Sequence, residues 1–316
     1  MIYRADIKLM AFIASAMFWG SGFAADNSIY VDQAGDNSTI SMTQDGSGNR
    51  IKGILLNGNA GGTTDPAKLV GNAQTVTINQ VGANNVLALG INSTQGGTIT
   101  GYSNIGVNLN YQVTGGGNTG FININNNGLG TSSGNVVGIT QDGGASATLN
   151  MTGSSNQLTV NTAGGAGNTF TGNINANSTV TTVNQTGGGG NQTTLNMTGD
   201  KGQVSVTSVG AANITNVTQS AFGTTGAQVL IDITGSGNTT NVTQSGLFDH
   251  YANIKLNPGS NDNNITLAQS GTAVQSASLD LTGSLNNISI TQQGAVSNLV
   301  NMKVTGSSNT YNILQK

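Results

Sequence analysis

The sequence predicts an all-β fold, namely a β-solenoid in which short strands stack into two parallel sheets. A phrase of the form Asn-x-h-x-h-x-Gln-x-Gly, where h is an apolar residue, recurs at Asn238–Gly246, Asn263–Gly271 and Asn286–Gly294. Its named side chains lie two residues apart, which places them on one face of a β-strand. The phrase returns after 25 and then 23 residues, a period that is typical of stacked-repeat architectures.

A second phrase, with three apolar residues followed by Gly, alternates with the first, as in Val300–Gly306. Each repeat therefore contributes two strands, and the chain predicts about twelve rungs at the strand spacing of about 4.8 Å. We expect a single repeat domain that covers residues 25–316.

The chain begins with a segment that is typical of a secretory signal peptide, residues 1–24. Arg4 and Lys8 precede an apolar run too short to cross a bilayer, and Ala24 offers a small residue for cleavage. We therefore expect a secreted protein, located outside the cell.

The repeats follow in order along the rest of the chain. The phrase occupies Ile29–Gly35 and Ile40–Gly46, and it resumes at Val76–Gly82 after a Gly-rich stretch, residues 57–74, that we expect to be an inserted loop. Residues 86–212 fit the phrases loosely, so the sequence leaves their rung register open.

The composition argues against an enzyme, a cofactor-binding protein or a metal protein. The chain has no Cys, its acidic residues are all Asp, and its single histidine, His250, is expected to be an exposed turn residue. The net charge of −3 excludes electrostatic binding of nucleic acid, and no small-molecule substrate is indicated. Gly115–Gly120 matches G-x-G-x-x-G, but a strand pattern rather than a helix follows it.

Asn and Gln side chains share the phase of the apolar residues, so we expect them to point inward. An unpaired buried amide costs about 1–3 kcal/mol, and identical amides stacked one rung apart remove that cost by forming a ladder. The predicted structural amide ladder contains Gln33, Gln44, Asn49, Gln80, Gln141, Gln185, Gln219, Asn238, Gln244, Gln269, Gln292, Asn298, Asn309 and Gln315.

Two further sets of residues complete the predicted rung. Glycines that follow the Gln by two residues allow the strained backbone of a sharp corner; they are Gly35, Gly46, Gly82, Gly246, Gly271 and Gly294. Four charges of alternating sign occupy one equivalent outward site and predict an exterior charge column: Asp232, Lys255, Asp280 and Lys303.

Three segments carry a resemblance to a known family: Gln44–Asn49, Gln80–Asn85 and Gln292–Asn298 are similar to the Gln-x-Gly-x-x-Asn motif of the curlin repeat. Curlins are the subunits of curli, the functional-amyloid fibres of Gram-negative bacteria. The resemblance implies secretion through an outer-membrane pore, a nucleator subunit, and a role in biofilm matrix and adhesion.

The predicted strands near both termini offer unpaired edges, which are templates for a further copy. A head-to-tail contact that does not close gives a filament, so the chain itself is the expected partner. The alternative is a monomeric solenoid that acts as an adhesin or binds ice or glycans, to which threonine pairs such as Thr75/Thr77 and Thr193/Thr194 point.

Overall fold

The computed structural model describes residues 27–34, 38–55, 59–70, 72–91, 104–125, 134–152, 156–163, 165–175, 179–198, 202–221 and 227–316. Over these ranges the fold is all-β. The strands, in chain order, are β1 (Ser28–Ile29), β2 (Val31–Ala34), β3 (Thr39–Gln44), β4 (Arg50–Lys52), β5 (Ala67–Val70), β6 (Asn72–Gln80), β7 (Val86–Ile91), β8 (Asn104–Asn110), β9 (Val113–Thr114), β10 (Thr119–Asn125), β11 (Gly134–Val136), β12 (Thr140–Asp142), β13 (Ser146–Thr152), β14 (Gln157–Thr162), β15 (Thr169–Asn175), β16 (Val180–Thr186), β17 (Gln192–Met197), β18 (Gln203–Val209), β19 (Ile214–Ala221), β20 (Gln228–Leu230), β21 (Ile233–Thr234), β22 (Thr239–Gly246), β23 (His250–Leu256), β24 (Asn264–Gly271), β25 (Gln275–Thr282), β26 (Asn287–Gly294), β27 (Asn298–Thr305) and β28 (Thr310–Gln315).

The strands form two parallel sheets, between which the chain alternates. In the first sheet, twelve strands follow one another from β1 through β4 and β7 to β26 and β28, with β2 and β5 continuing the layers of β1 and β4. In the second sheet, eleven follow one another from β3 through β6 to β25 and β27. This arrangement confirms the predicted β-solenoid with two parallel sheets and about twelve rungs.

The core lies between the sheets because alternate residues of each strand point inward. Every second residue of β25 is buried, and equivalent residues stack in register, as Ile265 does on Ile288 and Leu267 on Ile290. Buried Val, Ile, Leu and Met side chains make one continuous core along the stack. A parallel neighbour on each side also satisfies the backbone groups that a strand would otherwise expose.

The structure gives the register of the loosely patterned middle of the chain. Strand β15 stacks between β13 and β17, with Phe170 beside Ala147 and Thr193. Bulky Phe170 obscures the phrase in this layer, and Gly172 takes the position of the core residues Leu149 and Leu195. A Cβ on Gly172 would lie 2.8 Å from the Phe170 ring, so the missing side chain makes room for the ring.

The predicted inserted loop at residues 57–74 is too long. Residues Ala67–Val70 form β5, which pairs with β2 and β7, and residues from Asn72 onward belong to β6. The excursion between β4 and β5 contains an isolated antiparallel bridge between Ile54 and Ala60. The recurring phrase does not identify β5, because this strand has only four residues before the chain turns into β6.

The predicted signal peptide, residues 1–24, lies outside the described residues. Within the ranges given above, no helix is both long and apolar enough to cross a membrane.

Candidate functional site

The corner that precedes each strand of the first sheet carries a ladder of asparagines. Asn263 shows the full set of contacts: its Nδ2 donates to Asn238 Oδ1 and to the Gly283 carbonyl, both at 2.9 Å. Its Oδ1 accepts from the backbone N–H and the Nδ2 of Asn286, both at 2.9 Å. The asparagine ladder consists of Asn27, Asn49, Asn85, Asn118, Asn168, Asn191, Asn213, Asn238, Asn263, Asn286 and Asn309.

One layer interrupts this ladder. Ala145 stands where an asparagine would lie, and its backbone N–H donates to Asn118 Oδ1 at 2.9 Å. Ala145 has no side-chain amide, so it offers Asn168 no side-chain acceptor and the ladder is interrupted at this layer. Only Asn49, Asn238 and Asn309 of this ladder were predicted from the sequence. The phrase itself was the available signal for the members that begin it, Asn27, Asn213, Asn263 and Asn286. The other missed members precede strands that lack the Gln of the phrase: Asn85, Asn118, Asn168 and Asn191.

A glutamine ladder runs through the C-terminal layers of the first sheet. The Nε2 of each of the first four glutamines donates to the Oε1 of the next glutamine at 2.9–3.0 Å. The same Nε2 also donates to a backbone carbonyl on the side of the second sheet. Gln244, for example, donates to the His250 carbonyl at 3.0 Å. These bonds give the buried amide N–H groups acceptors that the apolar interior would otherwise not provide. The glutamine ladder consists of Gln219, Gln244, Gln269, Gln292 and Gln315.

The structure does not bring Gln33 into the glutamine ladder. It lies in the same column of the first sheet but is exposed, and its Nε2 donates to Ser38 Oγ at 2.7 Å. Leu69 is its neighbour in register, and aliphatic residues continue that column as far as Met197, which lies beside Gln219. The phrase identifies inward positions correctly but not which neighbour each residue meets.

The remaining predicted glutamines lie in the second sheet. Gln80 Nε2 donates to Gln44 Oε1 at 3.0 Å, which gives a separate pair. Gln141 instead donates to the Tyr111 hydroxyl at 3.1 Å, and Gln185 donates to Thr193 Oγ1 at 3.0 Å. The expectation of one ladder that includes Gln141 and Gln185 is therefore wrong, because their neighbours in the column are not amides.

Asn298 also lies apart from the asparagine ladder. It is the first residue of β27, in register with Gln275, the first residue of β25, and its Nδ2 donates to the Gln293 carbonyl at 3.4 Å. This column of the second sheet carries mixed residues, because His250 occupies the layer next to Gln275. A ladder cannot form there because successive side chains are not alike.

His250 is fully buried, so the expectation of an exposed turn residue is wrong. Its Nε2 lies 2.8 Å from the Ser245 carbonyl, and its Nδ1 accepts from the backbone N–H of Gln275 at 3.3 Å. These partners specify the neutral ring with the proton on Nε2. Burial lowers the pKa of His250, an effect that the Ser245 carbonyl and the adjacent Asp249 partly oppose.

The corner glycines adopt backbone angles that L-residues avoid. The φ angles are 84° at Gly46 and Gly82, and 126°, 125° and 127° at Gly246, Gly271 and Gly294. A Cβ on Gly271 would lie 2.1 Å from the Gly294 carbonyl oxygen, so the stacking of corners requires glycine as well. Gly35 lies outside the described residues.

The four predicted charges stack on the outer face of the second sheet. Lys255 is in register with Asp280, and Asp280 with Lys303. Asp232 exchanges backbone bonds with the residues on either side of Lys255, which places it in the same column. In the first sheet, Asp32 stacks on Lys68 with a distance of 4.0 Å between Asp32 Oδ2 and Lys68 Nζ.

Both ends of the described stack leave the core partly open. Half-buried apolar side chains pack against the core only in the outermost layers, namely Val31, Ile40, Met42, Met302 and Ile313. Among the described strands, β1, β2 and β3 at one end and β27 and β28 at the other have a partner on one side only. Each end therefore presents two strand edges around an apolar centre.

The described residues hold no group of three or more His, Asp, Glu or Cys side chains that could bind a metal ion. The other perturbed group is Tyr111, whose pKa burial raises, although its hydrogen bond with Gln141 opposes the shift. Tyr111 is part of the buried core, and its hydroxyl accepts a hydrogen bond from Gln141, which fits a structural role.

Comparisons with known proteins identify no relative: no family model, no curated protein and no solved structure matches the chain.

Proposed function

We propose that the protein is a secreted structural subunit that assembles end to end into extracellular, amyloid-like fibres. The observation that carries the proposal is the open core at both ends of the stack, where Val31, Ile40 and Met42 face one side and Met302 and Ile313 the other. A second copy of the chain would cover these side chains and pair the strand edges around them.

Burial of apolar side chains and pairing of strand edges would both stabilise the contact between copies. Fully burying an aliphatic side chain contributes about 1.5–3 kcal/mol, and five half-buried side chains with Tyr311, which is 39% exposed, share one junction. Each newly paired backbone group adds a net contribution of about 0.5–1.5 kcal/mol. Because the contact repeats in the same direction and does not close, it generates a filament.

The setting of the fibre is proposed from the resemblance to curlins. Secretion through an outer-membrane pore, a nucleator subunit and a role in biofilm matrix and adhesion belong to this proposal. The repeated Gln-x-Gly corners and amide ladders support it, as does a composition with only 7% charged residues and no cysteine.

Incubation of purified residues 25–316 tests the proposal. We expect thioflavin fluorescence to rise after a lag, filaments in negative stain, and fibre reflections near 4.7–4.8 Å and about 10 Å. A protein that stays monodisperse for days, even when seeded with sonicated material, would contradict the proposal.

A matched pair of variants makes this test specific to the ends of the stack. Met302→Lys places a charge in the outermost layer, whereas Val296→Lys changes a turn residue that is 61% exposed. We expect Met302→Lys to slow elongation at least tenfold and Val296→Lys to leave it within twofold. Circular dichroism of the starting protein checks that both variants keep their strand content.

A regular polar array on the first sheet supports a second candidate, a monomeric solenoid that binds ice or glycans. Asn150, Asn173 and Asn196 form an outward ladder with Nδ2–Oδ1 distances of 3.1 Å. Thr148, Thr171 and Thr194 stack beside them in register. Thermal hysteresis or glycan binding by monodisperse protein, lost in Thr171→Tyr, would favour this function over the fibre.

A further inference from the structure

We propose that successive copies in the fibre are related by a half-turn about the stack axis, so that the first sheet of each copy continues the second sheet of the copy before it. The inference rests on the proposed end-to-end assembly. It concerns the register of the contact, which the open edges of β27 and β28 and of β1, β2 and β3 determine.

The number of layers in each sheet gives the first argument. The described coil begins in the first sheet with β1 and β2 and also finishes there with β28, with twelve layers in that sheet and eleven in the second. It therefore contains an odd number of half-turns. The position that follows β28 along the coil lies above β27, in the second sheet. An incoming β1 and β2 that occupy this position place β3 above β28.

Stacking without the half-turn leaves a vacancy. An incoming β1 and β2 would then cover β28, and they would bring Asn27 over Asn309 and Gln33 over Gln315. The incoming β3 would lie one strand spacing too far from β27, so two strand edges would face each other across an empty position. Their backbone N–H and C=O groups would lack partners beside an apolar core.

The half-turn contact matches both strand pairs with one sequence offset. Loops of four residues connect β2 to β3 and β27 to β28, so Asp32 to Lys303 and Gln44 to Gln315 are both separations of 271 positions. The five half-buried apolar residues and the exposed Tyr311 then cover one another in three contacts: Val31 on Met302, Ile40 on Tyr311, and Met42 on Ile313. Gln44 also lies over Gln315 and extends the glutamine ladder.

Charge complementarity favours the same register. Asp32 is 62% exposed on the side chain and stacks on Lys68 within its own chain. Under the half-turn its other neighbour is Lys303, which caps the charge column of the copy below. The column then alternates in sign across the junction. Its members, in order, are Lys68, Asp32, Lys303, Asp280, Lys255 and Asp232. Without the half-turn, Asp32 would meet Leu314.

Cysteine cross-linking distinguishes the two registers, and the chain has no cysteine of its own. Tyr30, Asn301 and Asn312 all point outward and are exposed. The half-turn brings Tyr30 over Asn301, whereas direct stacking brings it over Asn312. Neighbouring positions in parallel strands have Cα distances that a disulfide can bridge.

The experiment compares fibres of Tyr30→Cys/Asn301→Cys with fibres of Tyr30→Cys/Asn312→Cys, grown under reducing conditions and then oxidised. We expect a ladder of covalent multimers on a denaturing gel for the first variant and at least tenfold less for the second. A ladder from the second variant, or from neither, would overturn the half-turn while leaving end-to-end assembly intact. If the wild-type protein forms no fibres, both proposals fail.

Electron cryomicroscopy of wild-type fibres provides a check without substitutions. The layer counts give a rise of about 55 Å per copy, with the orientation of the copies recurring after about 110 Å. Two-dimensional classes that show the excursion between β4 and β5 on alternating sides at this interval would support the inference. The same excursion on one side at every copy would overturn it.

Discussion

At the scale of single residues, the glutamine ladder contains members with unequal contacts. Gln219 stands at its lower end beside Met197, and the Oε1 of Gln219 is buried without a hydrogen-bond partner. Gln269 lies inside the ladder, where its Oε1 accepts from Gln244 and its Nε2 donates to Gln292. A buried amide is therefore fully used at one position and only partly used at the other.

This difference predicts unequal costs for the same substitution. Gln269→Met removes an acceptor from Gln244 and a donor from Gln292, and we expect it to lower the free energy of unfolding by about 2–4 kcal/mol. Gln219→Met removes a donor from Gln244 Oε1 and from the Ala227 carbonyl, but no acceptor, because its own oxygen has no partner, and the new side chain stacks on Met197. We therefore expect a smaller loss, of about 1–2 kcal/mol. Urea unfolding of the monomer measures both; equal losses would show that the inter-rung amide bonds contribute little.

His250 predicts a dependence of stability on pH. Because its folded pKa lies below the usual value of about 6.5, the unfolded chain takes up a proton first as the pH falls. Stability is thus complete above about pH 6.5 and declines below it by up to about 1.4 kcal/mol per pH unit. Protonation would also remove the bond that Nδ1 accepts from Gln275.

His250→Gln provides the control, since Gln275 occupies the same column in the next layer. We expect the urea midpoint of the wild type to fall between pH 7 and pH 5 and that of the variant to fall markedly less. Identical pH profiles for the two proteins would show that His250 is not the titrating group. Asp249, which lies beside the ring, stays in both proteins and so does not confound the comparison.

At the scale of the rung, the corners rather than the strands set the strictest requirements. Gly271 and Gly259 both have positive φ angles, at 125° and 82°. A Cβ on Gly271 would meet the Gly294 carbonyl oxygen at 2.1 Å, whereas a Cβ on Gly259 meets nothing within 4 Å. The two corners therefore differ in the room they leave for a side chain. At both of them, any residue other than glycine would have a strained backbone.

Alanine substitutions at these two glycines distinguish the cost of backbone strain from the cost of a steric clash. In Gly259→Ala only the left-handed backbone conformation is unfavourable, so we expect the free energy of unfolding to fall by about 1–2 kcal/mol. Gly271→Ala must in addition push two corners apart, and we expect a loss of 3 kcal/mol or more, on the order of the largest single-residue effects. Thermal unfolding followed by circular dichroism shows which of the two variants loses more stability. A smaller effect at Gly271 would contradict the tight stacking of the corners.

The rung also shows what the sequence could predict. Alternation at period two identified inward positions, and corner glycines followed from spacing, because both depend on local chain geometry. Which side chains meet across layers depends on register, and this depends on the lengths of distant loops. Gln141 and His250 show the limit. The inward position of Gln141 was predicted, but its bond to Tyr111 was not, and the burial of His250 was missed together with its bond to Gln275, which lies one layer away.

At the scale of the whole molecule, the stack behaves as a one-dimensional array whose layers contact only their neighbours. The outermost layers are then the least stabilised, and they are also those with half-buried core residues. A second copy would turn both ends into interior layers. The contacts that hold one rung on the next thus explain the stability of the stack, and in the proposed fibre the same contacts would join one copy to the next.

The charge pair across the proposed junction gives a prediction at this scale. Asp32→Asn and Lys303→Met each remove one charge, and we expect each to slow fibre elongation about two- to fivefold, as fits an exposed pair worth up to about 1 kcal/mol. The double variant should grow no more slowly than the slower single variant, since both remove the same interaction. Salt near 1 M should reduce the difference between wild type and variants, because it screens the pair.

Asp262→Asn, in a turn away from the column, is the control and should leave elongation unchanged. Multiplicative slowing in the double variant would mean that Asp32 and Lys303 do not meet.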